Sequence, residues 1–285
     1  GSEMCIRDRN NVTKEDVQNA AQTYFSPNKT RIFITGKGSE ILEKIEGIEY
    51  NGKKLTVRYF DQYGSETPRP DYSVSNDISA EGVINNYIKS IGGAEKLNSI
   101  SSVEVKATAN LQGTVLEMYS LKNNQNQSLM TMTAMGMTLV KSVFNKYQGY
   151  NEVNGQRIPL TDEELEQAII NSALFSELNF DFEIVELVGT SIVNDEKAYE
   201  IKVTDNKSVF YSAETGLKLK EFESQEVEGN LITSEIFYNE YEEVDGILMP
   251  KEINQVSASI PVPGGITFKS TSIKLNVKTS DSDFN

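Results

Sequence analysis

Two segments gather the carboxylates that proton transfer or cation binding would need, TDEELE at 161–166 and NEYEEVDG at 239–246. Neither has the spaced oxygen ligands and central glycine of a calcium loop. In the first, Thr161 precedes Glu164 by three residues, the spacing of a helix capping box. The second runs as a solvated strand end into Asp245-Gly246, a strong hairpin signal. Neither offers a carboxylate pair to which a catalytic role can be assigned. The chain has one Cys and no His. Internal disulfides, His-based triads and His-based metal sites are therefore excluded. The chain reads as non-enzymatic, with no catalytic residue, no metal and no cofactor expected.

What remains is binding. LMTMTAMGMTLV, 129–140, holds four of the seven Met. Met130 and Met132 share a strand face, as do Met137 and Leu139. Flexible thioethers adapt to irregular apolar ligands, and they also fill ordinary cores. A candidate lipid-contacting set joins these four residues to Val83, Tyr87 and Ile91 on a helix described below. IPVPGGI, 260–266, combines rigid prolines with free glycines. Pro261, Pro263 and Gly264 are a candidate gate at the mouth of a barrel, with a plain long hairpin connection as the alternative.

The charge balance narrows the partners. Residues 64–285 carry 33 Asp/Glu against 17 Lys/Arg, while 1–63 are nearly neutral. Such an acidic portion repels phosphate backbones and anionic lipid headgroups, so nucleic acid is not an expected partner. No apolar run approaches the ~20 residues of a membrane-spanning helix.

The elements that must position these residues fall into two parts. GSEMCIRDRN, 1–10, resembles translated sequencing-adapter sequence, and the alternative is a lipidated Cys5. On the adapter reading the natural protein began further upstream. From Thr13 the pattern predicts a helix with Val17, Ala20, Ala21 and Tyr24 on one face. Ser26-Pro27-Asn28 ends it, and a strand follows at 31–35. A second helix is expected at 40–46 and a strand at 54–59. These pieces cannot bury both their faces alone, so they read as part of a larger α/β domain. VTKEDVQNAAQTYFSPNKTRIFITG resembles the closing helix and strand of a pitrilysin/insulinase-type zinc peptidase domain. KIEGIEYNGKKLTVRYFDQYG resembles the tail that follows it in bacterial members. The resemblance covers ~50 residues and implies, for the parent protein, either a catalytic region upstream or a non-catalytic member. The His-x-x-Glu-His motif of active members has no counterpart here.

Residues 64–78, with Pro68, Pro70 and four Ser, read as a linker. Beyond it, Ser79 caps a helix at 80–91 whose stripe is Val83, Ile84, Tyr87, Ile88 and Ile91. Gly92 and Gly93 stop it, and 94–98 add one more turn. Period-two patterns then predict strands at 102–111, 114–121, 127–133 and 137–144. A helix from Thr161 has Leu165, Ala168, Ile169 and Ala173 on one face. Strands resume at 182–187, 197–203, 208–212, 217–223, 231–241, 247–257 and 266–277. About ten strands with short turns imply an α+β fold, a curled antiparallel sheet forming an unclosed β-barrel covered by helices.

VINNYIKSIGGAEKLNSISSVEVKA is similar to the start of outer-membrane lipoprotein carrier-like (LolA/LolB-like) domains of bacteria. KAYEIKV, VFYSAETGLKLKEF and EVDGILMPKEI follow in the family's order. The resemblance spans ~200 residues, 79–285. It implies a half-barrel with a helical lid that holds lipid or an acylated lipoprotein in the periplasm or at the outer-membrane periphery. The lid-securing arginine of some carriers matches no residue here. Two further roles follow from the combination: a docking domain or partner subunit for the peptidase-type parent, or an interaction module with a filled barrel.

Overall fold

The structure, a computed structural model, describes residues 12–25, 30–61, 64–227, 229–258 and 262–285. The 1–10 segment with Cys5, and Ser26-Pro27-Asn28, lie outside them. The chain divides into two units, Gly1–Gly47 and Ile48–Asn285.

In the first unit, helix α1 (Lys14–Tyr24) opens with Thr13 and Asp16 in a reciprocal capping box. It buries none of its residues. Helix α2 (Gly38–Glu46) buries Leu42. The strand expected at 31–35 does not form. No strand pairs with it among the described residues, and Ile32, Phe33 and Ile34 stand exposed. A β-rich sequence without a partner gains no ladder hydrogen bonds, so propensity alone leaves it irregular.

The second unit begins with two two-residue ladders, Glu49–Tyr50 with Lys53–Lys54 and Tyr59–Phe60 with Glu66–Thr67. The strand expected at 54–59 is thus split between them. Asp71 accepts from Lys197 at 3.3 Å within the stretch read as a linker.

Helix α3 (Ala80–Ser90) starts where the Ser79 hydroxyl accepts from the Gly82 N–H. It buries Val83, Ile84, Tyr87 and Ile88. Its end explains the double glycine. Ile91 O accepts from Leu248 N–H at 2.9 Å, which brings the helix end onto the 245–247 turn. Gly92 lies at φ +138°, where a Cβ would stand 3.1 Å from Gly246 O. The glycine is needed for this close approach as well as for its backbone angle. Gly93, at φ +85°, caps helix α4 (Ala94–Asn98).

The sheet has thirteen antiparallel strands. In chain order they are β1 (Ser102–Leu111), β2 (Thr114–Asn123), β3 (Gln127–Ala134), β4 (Met137–Asn145), β5 (Gly149–Val153), β6 (Gln156–Pro159), β7 (Glu186–Val193), β8 (Glu196–Thr204), β9 (Lys207–Ser212), β10 (Lys218–Val227), β11 (Asn230–Val244), β12 (Ile247–Ser257) and β13 (Ile266–Leu275). The spatial order is β6-β5-β4-β3-β2-β1-β13-β12-β11-β10-β9-β8-β7. Two meanders meet at the β1–β13 pair, and the sheet does not close, since β6 and β7 are its free edges. The expected antiparallel, unclosed sheet is therefore present, with two strands, β5 and β6, beyond those the pattern located. β5 and β6 escaped notice because their turn, Asn154-Gly155, joins short runs with little apolar alternation; both turn residues have positive φ, as the hairpin demands. The strand expected at 182–187 begins only at Glu186, and 182–184 belong to the preceding turn.

Helix α5 (Asp162–Ser172) lies in the connection from β6 to β7, which joins the two free edges. Thr161 and Glu164 form the expected capping box. Of the expected apolar face, Leu165, Ala168 and Ala173 are half-buried on the side of buried Ser172, while Ile169 is 47% exposed.

One core joins α3 and α4 to the sheet. Val83, Ile84, Tyr87, Ile91 and Leu97 pack with Val103, Ile201, Val209, Tyr211, Ile247, Met249 and Leu275. A second cluster, Ala107, Ala109, Leu116, Ala134, Ile266 and Phe268, lies further along the same face of the sheet. At the C-terminus Phe284 is fully buried in a short 3-10 turn (Asp281–Phe284) held by Gln127 to Asp281 at 3.0 Å.

Candidate functional site

The inner face can be followed by register. Val103, Val105, Ala107 and Ala109 stand opposite Lys122, Ser120, Met118 and Leu116. These stand opposite Ser128, Met130, Met132 and Ala134. The inner face of β2 therefore passes from Leu116 and Met118 through Ser120 to Lys122, from apolar to cationic within one strand.

The other meander supplies a buried ionic hub. Lys218 on β10 is 7% exposed and Glu177, in the 3-10 turn Ser176–Asn179, is 4% exposed. The Lys218 ammonium lies 2.6 Å from Glu177 and 2.8 Å from Glu221. Tyr211 donates to Glu177 at 3.2 Å, and Tyr238 donates to Glu221 at 2.8 Å. Tyr241 donates to the Lys218 carbonyl at 2.8 Å. Lys207 lies 3.4 Å from the second Glu221 oxygen. Tyr87 and Tyr238 present their ring faces to the same ammonium.

Burial opposes charge on both partners of this hub. It is outweighed at Lys218, whose pKa rises well above the usual lysine value because Glu177 and Glu221 adjoin it. It is outweighed at Glu221 too: Lys218, Lys207 and the Tyr238 hydroxyl hold its carboxyl well below the usual range. Burial raises Tyr87, Tyr211 and Tyr238 well above the ordinary phenol value. Near neutrality Lys218 and Glu221 are thus held charged and the three phenols neutral, the arrangement of a structural clamp. It ties the edge-to-edge connection, through Glu177, to the middle of the second meander.

Sequence reading missed this hub for a geometric reason. Lys218 and Glu221 are three apart, which in a regular strand puts them on opposite faces. A bulge at Leu219 lets Tyr211 face Lys218 and Phe210 face Lys220, and this returns Lys218 to the Glu221 side. The stretch LKLKEF held the residues but not the bulge.

The hub also reports the curl of the sheet. β2 and β10 are five strand spacings apart, roughly 24 Å in a flat sheet at ~4.8 Å each. Lys122 on β2 nonetheless feels Glu221, Lys218 and Lys207. The Lys122 ammonium donates to Asn171 O, in the last turn of α5, at 2.7 Å. The two meanders thus face one interior.

Beside it lies an open groove of about 500 Å³. Its apolar walls are Leu97, Ile100, Ile169, Ile170, Leu174 and Phe175, and its polar rim includes Asn123, Asn124 and Asn126 from the β2–β3 turn.

The expected lipid-contacting residues are scattered. Val83, Tyr87 and Ile91 are buried in the first core, covered by the protein itself. Met130 and Met132 are half-buried on the inner face, and Met132 and Leu139 pack on the second cluster. Met137 is 63% exposed at a hairpin end. Pro261 lies outside the described residues. Pro263 and Gly264 are exposed, and Val262 between them and Pro261 packs on the second cluster. Among the described residues, no group of three or more His, Cys, Asp or Glu is placed to hold a metal ion. No described helix is long and apolar enough to cross a membrane.

No protein-family model matches the sequence. No curated protein matches it either. Among solved structures, a LolA superfamily protein from Nitrosomonas europaea is similar over 73% of this chain and 98% of its own, at 14% identity and a TM-score of 0.47. A DUF1329 family protein from Desulfovibrio piger is similar over 72% of this chain and 96% of its own, at 12% identity and a TM-score of 0.45. The Mycobacterium tuberculosis lipoprotein LppX is similar over 70% of this chain and 96% of its own, at 10% identity and a TM-score of 0.29.

Proposed function

We propose that this chain binds an amphiphile, a lipid or an acylated partner, by its apolar part and performs no covalent chemistry on it. The observation that carries this reading is the groove beside the half-barrel interior. At about 500 Å³ it is of the size that small-molecule sites have, roughly 300–1,000 Å³. Its α5 wall keeps Ile169 and Ile170 about half exposed, at 47% and 49%. Burying such surface against an alkyl chain contributes about 0.8 kcal/mol per methylene. The carrier-like motif order of 79–285 agrees with this reading and extends it to work in the bacterial periplasm or at a membrane face.

A second reading, a half-barrel filled by its own side chains, is favoured by one observation. Val83, Tyr87 and Ile91, the helix residues expected to meet lipid, are spent on the core. The test is made on the full chain purified without detergent. Solvent extraction and mass spectrometry look for bound lipid, and a fluorescent fatty-acyl probe is titrated and then displaced by unlabelled competitor. Saturable, competable binding that weakens about tenfold in Ile170→Asp is expected. Neither lipid nor saturable binding would leave the filled half-barrel.

A further inference from the structure

We propose that Lys122 anchors the anionic head, carboxylate or phosphate, of an amphiphile whose chain lies in the adjoining groove. This rests on the binding function proposed above and names the ligand class.

The geometry of Lys122 carries it. The residue sits on the inner face of β2, and its ammonium is held at the α5 wall by Asn171 O at 2.7 Å. Lys122 is not itself a wall of the groove; its ammonium reaches the groove's edge through Asn171, whose neighbour Ile170 is one of the walls. An ammonium has three donors, and this bond uses one. Among the described residues no carboxylate lies within 4 Å of it. The lysines of the hub differ in this respect. Lys218 has Glu177 and Glu221, and Lys207 has Glu221. Ser128 stands directly opposite Lys122 in the ladder, and Ser120 lies two residues back on the same face. Both add short hydroxyl donors to the same surface.

The electrostatics agree. Burial lowers the Lys122 pKa below the ordinary lysine value; Glu221 works against this, while Lys218 and Lys207 add to it. A half-buried cation short of counter-charge is costly, and an anionic head in contact would offset that cost. Residues 64–285 are net acidic and oppose an approaching anion, so the head must be held by local contacts at Lys122.

A purely structural role is the competing account, since a lysine at the last turn of α5 also suits the helix dipole. The experiment separates the two. Laurate, dodecyl phosphate and dodecanol compete against one fluorescent acyl probe on the full chain. Wild type, Lys122→Met and Lys122→Arg are compared, each checked for folding by its thermal transition. The anchor predicts that laurate or dodecyl phosphate displaces the probe about tenfold better than dodecanol in wild type and in Lys122→Arg. The better of the two anions names the head group. In Lys122→Met the anion preference should vanish while dodecanol competes as before. Equal competition by all three in wild type, or a preference that survives in folded Lys122→Met, would overturn the anchor and leave amphiphile binding standing. No displacement by any of them would overturn both.

Discussion

The Lys218 ammonium lies 2.6 Å from the Glu177 carboxylate, and both side chains are almost wholly buried. One sits on a central strand of the second meander, the other in the connection between the sheet's free edges. The pair therefore fastens that connection to the sheet, with Tyr211 and Tyr238 completing the hydrogen bonds of the two carboxylates around Lys218.

Removing one charge from this pair strands the other. Lys218→Met leaves Glu177 buried without its cation, and a loss of about 3–5 kcal/mol is expected in urea unfolding. Glu177→Gln with Lys218→Met together should cost less than the sum of the two single changes, because each single change already breaks the same contact. Strict additivity would mean that the pair contributes nothing as a pair.

The hub also sets a pH dependence. Glu221 has a folded-state pKa below its reference value of 4.5. The unfolded chain then binds more protons than the native one as pH drops. The contribution of Glu221 is fully present above about pH 4.5 and is lost as pH falls through the lower folded value. Lys218, raised above 10.5, keeps its contribution below that pH and loses it only as pH rises through the higher folded value. Urea midpoints should fall between about pH 5 and pH 3, and the fall should be shallower in Glu221→Gln. Equal slopes would remove Glu221 from the account.

The two glycines that end α3 are predicted to differ. Ala at Gly92 meets Gly246 O at 3.1 Å and the Ile247 side chain at 3.3 Å, on top of a positive φ. Ala at Gly93 meets nothing within 4 Å and carries only the cost of its extended positive-φ backbone, about 1–3 kcal/mol. Gly92→Ala should therefore lower the thermal midpoint more than Gly93→Ala. The reverse order would mean that the helix end does not seat against the 245–247 turn as described.

Phe284, the last described residue but one, is fully buried. Phe284→Ala should cost about 3–5 kcal/mol, the range of large-to-small core changes. Urea unfolding monitored by circular dichroism measures it. A loss below about 1 kcal/mol would show that the C-terminal turn is not part of the core.

Local pattern was enough for much of this protein. The Ser79 cap, the α3 stripe and the Thr161–Glu164 box were legible because each depends on residues within one or two turns of one another. Strand Ser102–Leu111 was legible because Val103, Ala107 and Ala109 on one face are buried while Lys106 and Asn110 on the other are exposed. The failures share a cause as well. Residues 31–35 have strand composition but no partner among the described residues, and a strand is completed by its neighbour. Ile169, read as the inward face of α5, lines an open groove, because the surface that α5 meets comes from distant parts of the chain.

The sequence by itself determined a chemistry without histidine, an acidic surface, helix ends set by capping residues, and a meandering antiparallel sheet. All of these follow from residue type and short-range spacing. Only the tertiary structure decided what the inner face holds. The Leu219 bulge turned Lys218 toward Glu221, the curl brought Lys122 within reach of that hub, and the edge-to-edge connection delivered Glu177 to it. Contacts between residues tens of positions apart depend on register, bulges and curvature, and these are settled by packing the whole sheet at once.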